Sequence, residues 1–384
     1  MNIKKFLSLL LCFVLLFAAV VGCGKSDGDG NGNGNGNGGE PPHGIDLDAA
    51  MTAFEPDTVM IKSGDYFITW AEFYNLLFRA VKELSYNFSM EIDWDKEVVI
   101  GQSLSDVALS YITDQAQELL VSEYAIDILG LSLSQEDLDI IQADVEFVTE
   151  MSEDDEEFES LDQFLNSLGY YNLEVFKQLR ARELVQWLLI TALYGEDLNG
   201  MSDSDVIAFA EEHEFMQAKH ILLAFLREDE GYTRDEIFER AQDLLDILLE
   251  HVDDANFVDF FTSLMIDLSD DRNPYTGEVN SPEGYLFQPE VMVPPFSEAT
   301  KSLRPGQMSG IVETEYGLHI ILRLPLIFDA YPQREQYTLR ELALFTDYNN
   351  RMQEWQDSMT FEFSPEYDLI DLPALFAWHE PHEH

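Results

Sequence analysis

The residues of this sequence whose types suit proton or hydrogen-bond chemistry are two histidines and an aspartate. His220 lies in Met216-Gln217-Ala218-Lys219-His220-Ile221-Leu222-Leu223-Ala224-Phe225, His319 in Tyr316-Gly317-Leu318-His319-Ile320-Ile321, and Asp271 closes Ser269-Asp270-Asp271 between them. Imidazole both donates and accepts hydrogen bonds and is the side chain that titrates near neutrality without perturbation. A lone histidine on an apolar strand is as a rule structural, and Asp271 by itself reads equally well as a loop cap after Ser269. Each of the three stretches alone is a weak signal. Other combinations offer less. The tail His379-Glu380-Pro381-His382-Glu383-His384 has metal-ligand types but reads as a short disordered acidic tail without a fixed surround. Six carboxylates in the seven residues Glu153 to Glu159 lack a calcium loop's glycine and alternating ligands. No positioned Ser, Cys or Lys nucleophile and no phosphate-binding loop is apparent.

The elements that must position these groups can be read from apolar spacing. A strand is expected over 217–225, followed by a helix that opens at the capping box Thr233-Arg234-Asp235-Glu236 and runs to about Glu250. A second helix is expected near 255–265, a strand near 284–287, a helix near 296–303, a turn at Pro305-Gly306, and strands near 310–314 and 317–324. This mixed region sits between helical ones. Before it come a strand pair around Ser63-Gly64-Asp65, a helix from about Thr69 with Trp70, Phe73, Leu77 and Val81 on one face, and helices near 103–129, 134–150, 160–168, 172–194 and 202–213. After it comes a helix near 337–358. The pattern predicts an α+β unit inserted into a helical domain built from both chain ends.

Two further stretches join the first three: Met292-Val293-Pro294-Pro295-Phe296-Ser297-Glu298-Ala299 and Leu303-Arg304-Pro305-Gly306-Gln307-Met308-Ser309. In this order and spacing, roughly 215–324 resembles the parvulin family of peptidyl-prolyl cis-trans isomerases, whose "M-x-x-x-F-x-x-A" and "L-x-x-G-x-x-S" stretches these segments match. The whole layout is similar to the PrsA-like foldase lipoproteins of Gram-positive bacteria. The resemblance implies a four-stranded antiparallel sheet with surrounding helices. It implies paired histidines at His220 and His319, with Asp271 where some members carry cysteine and many bacterial ones aspartate. It also implies a proline-binding pocket from Met292 and Phe296, with Phe287 lining it, and no cofactor or metal. The clients implied are unfolded or partly folded secreted polypeptides containing proline. One stretch departs: the "G-G-D-L-G" usual before the methionine is here Ser281-Pro282-Glu283-Gly284-Tyr285, which leaves open a holdase with the fold but little turnover. No Lys/Arg cluster follows His220, so phosphate selectivity is not expected.

The rest of the chain places that domain. Lys4 and Lys5 precede an apolar run from Phe6 to Val21, shorter than the ~20 residues a membrane span needs, and Val20-Val21-Gly22-Cys23 resembles a lipobox. The reading is a lipoprotein leader over 1–22 and a lipid anchor on Cys23 at the outer face of the cell membrane; an ordinary signal peptide or a short anchor helix are the alternatives. The Asn/Gly-rich tract Gly28 to Gly39 makes 23–55 a flexible tether. The remaining divisions expected are a helical chaperone-like region over 56–214, the isomerase domain over 215–324, and a returning helix and tail over 325–384. With 21 Lys and Arg against 74 Asp and Glu, the formal charge is −53. Nucleic acid is a poor partner for such a surface. The sequence is compatible with a homodimer, and its 46% hydrophobic content supplies real cores.

Overall fold

A computed structural model describes residues 44–155, 158–228 and 231–379. The leader, Cys23 and the terminal His382 and His384 lie outside the described residues. The chain divides into two compact units, one ending at Leu198 and resuming at Tyr348, the other running from Asn199 to Asp347.

The first unit opens with strand β1 (Gly44–Ile45) and helix α1 (Leu47–Met51). Residues 44–51, read from sequence as part of the tether, are thus packed structure. The reason is apolar: Ala50 and Met51 are buried, and Trp70 Nε1 donates to the Met51 carbonyl at 2.7 Å. The expected hairpin is β2 (Val59–Ser63) and β3 (Tyr66–Thr69), turning at Gly64 with φ +59°. Helix α2 (Trp70–Leu84) follows from a Thr69/Glu72 capping box and buries Trp70, Phe73, Leu77 and Val81, the predicted face. A short hairpin, β4 (Glu97–Val99) with β5 (Gln102–Ser103), leads into α3 (Leu104–Leu129), α4 (Gln135–Asp154), α5 (Leu161–Ser167) and α6 (Leu173–Tyr194). The α2 aromatics pack with Ile61, Ile68, Ile112 and Leu120 in one core.

The second unit begins with α7 (Asp203–Glu212), then β6 (Met216–Ala224), α8 (Arg234–His251), α9 (Phe257–Leu268), β7 (Tyr285–Phe287), α10 (Pro294–Ser302), β8 (Met308–Glu313) and β9 (Gly317–Leu324). The strands form the expected four-stranded antiparallel sheet, in the order β7-β6-β9-β8. Its two central strands register His220 against Ile321 and Leu222 against His319. Side chains alternate across a pleat. Ile221, Ile320 and Leu322 therefore face Leu244, Leu248 and Phe261 of α8 and α9. Met216, Ala218 and Ile321 face Phe296 of α10 on the other side. Helix α10 starts at Pro294, where a missing N–H costs nothing, and leaves Met292 extended ahead of it.

The compact unit is wider than the stretch carrying the motif resemblance. Gln217 Oε1 accepts the Ile327 N–H at 2.7 Å, and Arg340 donates to the Met201 carbonyl and to Asp203, each at 2.8 Å. Helix α11 (Leu339–Ser358) carries the chain back, and Met352 packs with Val121 and Leu189 in the first unit. Strand β10 (Glu362–Phe363) joins β2, and β11 (Trp378–His379) pairs with β1 after the short helix α12 (Leu372–Leu375). His379, read with the tail, is thereby fixed opposite Gly44.

Candidate active site

All nine residues of β6 are buried, so a polar side chain on it must find partners within the protein. His220 finds two. Its Nδ1 lies 2.9 Å from His319 Nδ1, with the rings close to parallel, and its Nε2 lies 2.8 Å from Asp271 Oδ2. The other nitrogen of His319, Nε2, lies 2.8 Å from Thr314 Oγ1. The residues singled out on β6, on β9 and after α9 thus meet in one chain of hydrogen bonds.

The loop after α9 is fastened to β6 where β7, which pairs only with Met216 to Ala218, has ended. Ser269 Oγ accepts the Leu222 N–H at 3.1 Å, Asp270 N–H donates to the Leu222 carbonyl at 2.8 Å, and Asp270 Oδ2 accepts the Ala224 N–H at 2.9 Å. Ser269 and Asp270 therefore do the capping, and Asp271 is left to point at His220. Its carboxylate also accepts from Asn280 Nδ2 at 2.8 Å and Tyr285 Oη at 2.7 Å.

Donor counting fixes the proton arrangement. The 2.9 Å Nδ1–Nδ1 contact holds one proton, because two would clash and none would leave two lone pairs opposed. With both rings neutral and Asp271 accepting, His220 donates from Nε2, His319 donates from Nδ1, and Thr314 O–H donates to His319 Nε2. Burial, and secondarily the neighbouring His220, hold His319 far below the usual imidazole range, at about 3, so this ring stays neutral. Burial alone would push the Asp271 carboxyl up, but hydrogen bonds from His220, Asn280 and Tyr285 outweigh it and bring it down to about 2. Tyr285 is pushed up by burial and by the carboxylate it serves.

Beside this chain lies an apolar wall. Phe296 stands edge-on to both imidazoles, at 5.2 Å from His220 and 5.5 Å from His319. Phe287 lies 5.7 Å from Phe296, and Met292 packs against the same cluster. The three residues named for a pocket from sequence are thus together next to the histidines. Thr314, Asn280 and Tyr285 were not foreseen; Tyr285 closes the departing 281–285 stretch, while Thr314 gave no signal beyond its place five residues before His319. Among the described residues no group of three or more metal-ligating side chains occurs, and no helix is long and apolar enough to cross a membrane. What the arrangement offers is an apolar seat for a ring next to an ordered set of donors and acceptors.

Residues 206–323 match the family model of the PPIC-type PPIase (peptidyl-prolyl isomerase) domain. The foldase protein PrsA of Caldanaerobacter subterraneus subsp. tengcongensis is 29% identical over 287 residues, covering 72% of this chain and 76% of that protein. Crystal structures of PrsA from Bacillus subtilis (18% identity, 79% of this chain and 92% of that one, TM-score 0.23) and Bacillus cereus (17%, 69% and 90%, 0.27) are also similar. Residues 206–323 are a PPIC-type, that is parvulin-type, peptidyl-prolyl cis-trans isomerase domain, and the chain that carries them is similar to the PrsA foldases over most of its length.

Proposed function

We propose that the chain is an extracytoplasmic foldase, tethered to the membrane by a lipid on Cys23, that isomerises X-Pro bonds in secreted polypeptides and chaperones them. The observation that carries the catalytic part is the His220–His319 pair set edge-on against Phe296. An X-Pro amide resists rotation because conjugation flattens it, at a barrier of about 18–20 kcal/mol for peptide bonds generally. Twisting the amide removes that conjugation and its charge separation, so an apolar seat favours the twisted state over the planar one. Phe296, Met292 and Phe287 would hold the proline ring. His220, Asp271 and His319 would keep a rigid array of donors and acceptors beside the rotating bond, whose dipoles need no reorganisation as it turns. No proton transfer, nucleophile or cofactor is required by such a step.

The anchoring and the location rest on the leader, the lipobox-like Val20 to Cys23 and the tether, and on the similarity to PrsA, a kind of foldase that works outside the cytoplasm. The altered 281–285 stretch favours one second reading, a holdase that binds peptide without turning it over.

Proline-limited refolding of a model protein separates the two. Acceleration by the parent chain, lost in His220→Ala and Asp271→Ala, supports the isomerase. Suppression of aggregation without acceleration supports the holdase, and neither activity would sink both. Cys23→Ser released from membranes into the soluble fraction tests the anchor; unchanged partition refutes it.

A further inference from the structure

Asp271 is held by more than its histidine. Oδ2 is shared between His220 Nε2 at 2.8 Å and Tyr285 Oη at 2.7 Å, and Asn280 Nδ2 takes Oδ1 at 2.8 Å. Tyr285 closes the stretch Ser281-Pro282-Glu283-Gly284-Tyr285 that departs from the expected motif.

The backbone delivers the tyrosine in two steps. Gly284 has φ +96°, and a Cβ there would lie 3.1 Å from the Ala218 carbonyl oxygen, so the chain turns tightly against β6 just before β7 starts. Tyr285 then pairs with Ala218, two residues from His220 and on the same face of β6. Its ring lies 5.7 Å from that of His220 and packs in the cluster holding Phe287, Phe296 and Met292.

We infer that Tyr285 is a positioning residue of the isomerase site: its hydroxyl holds the Asp271 carboxylate on His220, while its ring ties that carboxylate to the wall of the proline pocket. This rests on the catalytic reading proposed above. The groups that face Asp271 are His220 from β6, with His319 of β9 behind it, Tyr285 from β7, and Asn280 from its own loop. Its sequence neighbours are turned elsewhere, Asp270 to the Ala224 N–H and Arg272 to the carbonyls of Ile266 and Gly277. Burial opposes ionisation of Asp271 and these donors favour it, so losing the tyrosine hydroxyl moves the balance toward the protonated acid. A hydrogen bond to a charged group corresponds to a midpoint shift of about one pH unit or more.

The test is Tyr285→Phe in the otherwise intact chain, which keeps the ring and its packing. Asp271 ¹³Cγ and the imidazole ¹⁵N resonances are followed through a pH titration, alongside kcat/KM and KM for an X-Pro peptide. The expected result is an Asp271 midpoint raised by about one unit, an acid limb of kcat/KM that moves with it, and an unchanged KM at neutral pH. Titration curves that superimpose on the parent's would overturn the assignment, as would a moved midpoint with an unmoved kcat/KM profile. Failure of the catalytic reading shows elsewhere: Asp271→Asn with parental turnover would sink it, whatever the Tyr285→Phe titration gives.

Discussion

Replacing Asp271 by Asn should cost the insert stability in a way that depends on pH, and the size can be worked from the site. The carboxyl is brought from its ordinary 3.8 to about 2. At about 1.36 kcal/mol per unit this corresponds to about 2.5 kcal/mol, which water at a 23% exposed side chain trims to about 1–2 kcal/mol. Because the folded state binds this proton more weakly than the unfolded chain, the stabilisation is fully present above about pH 4. It is lost as the pH falls through about 2. Asp271→Asn should therefore trail the parent by about 1–2 kcal/mol at pH 7, with the gap closing between about pH 4 and pH 2. The assay must read the right unit. The five tryptophans, at 70, 94, 187, 355 and 378, all lie outside the insert, so their fluorescence reports the other unit. Urea titration followed on the methyl resonances of Ile221, Ile320 and Ile321, in β6 and β9, reports this one. A gap that stays constant from pH 7 to 2.5, or a variant as stable as the parent at pH 7, would refute the reasoning.

Other substitutions probe other parts of the account. Phe296→Ala empties a residue that is 3% exposed and should lose about 3–5 kcal/mol by the same methyl assay, together with X-Pro peptide binding measured by titration. Gly317→Ala should damage the β6–β9 pairing, because a Cβ at φ +152° would sit 2.3 Å from the Leu223 carbonyl oxygen; loss of amide protection in both strands by hydrogen exchange is the readout. Thr314→Val removes the partner of His319 Nε2, with an expected loss of about 1–3 kcal/mol and a moved His319 ¹⁵Nε2 resonance, whereas an unmoved resonance would mean the hydroxyl does not face that nitrogen.

Much of the insert was legible because its sheet and helices announce themselves locally. The Thr233/Glu236 box does cap α8, and the strands expected over 217–225, near 284–287, near 310–314 and over 317–324 appear as β6, β7, β8 and β9, while the helix expected near 296–303 starts two residues earlier, at Pro294. The partners of Asp271 were not legible, because Tyr285 reaches it only when β7 docks on β6 and Asn280 only when the loop from Arg272 to Val279 folds back on itself. The Asn/Gly-rich tract ahead of it misled at 44–51, where Gly-Ile-Asp-Leu-Asp-Ala-Ala-Met ends in a helix whose Ala50 and Met51 join the core around Trp70. The addition of β10 to β2 likewise joins residues some three hundred positions apart, beyond the reach of any local pattern.

The most direct measurement is the exchange rate between cis and trans forms of a short X-Pro peptide, by NMR magnetisation transfer, with the parent chain, His220→Ala, Asp271→Ala and Phe296→Leu. The account predicts exchange accelerated by catalytic amounts of the parent, reduced about tenfold or more in each variant that still shows the methyl pattern of a folded insert. Acceleration that survives all three substitutions in folded protein, or a parent chain that binds the peptide without changing its exchange rate, would contradict it.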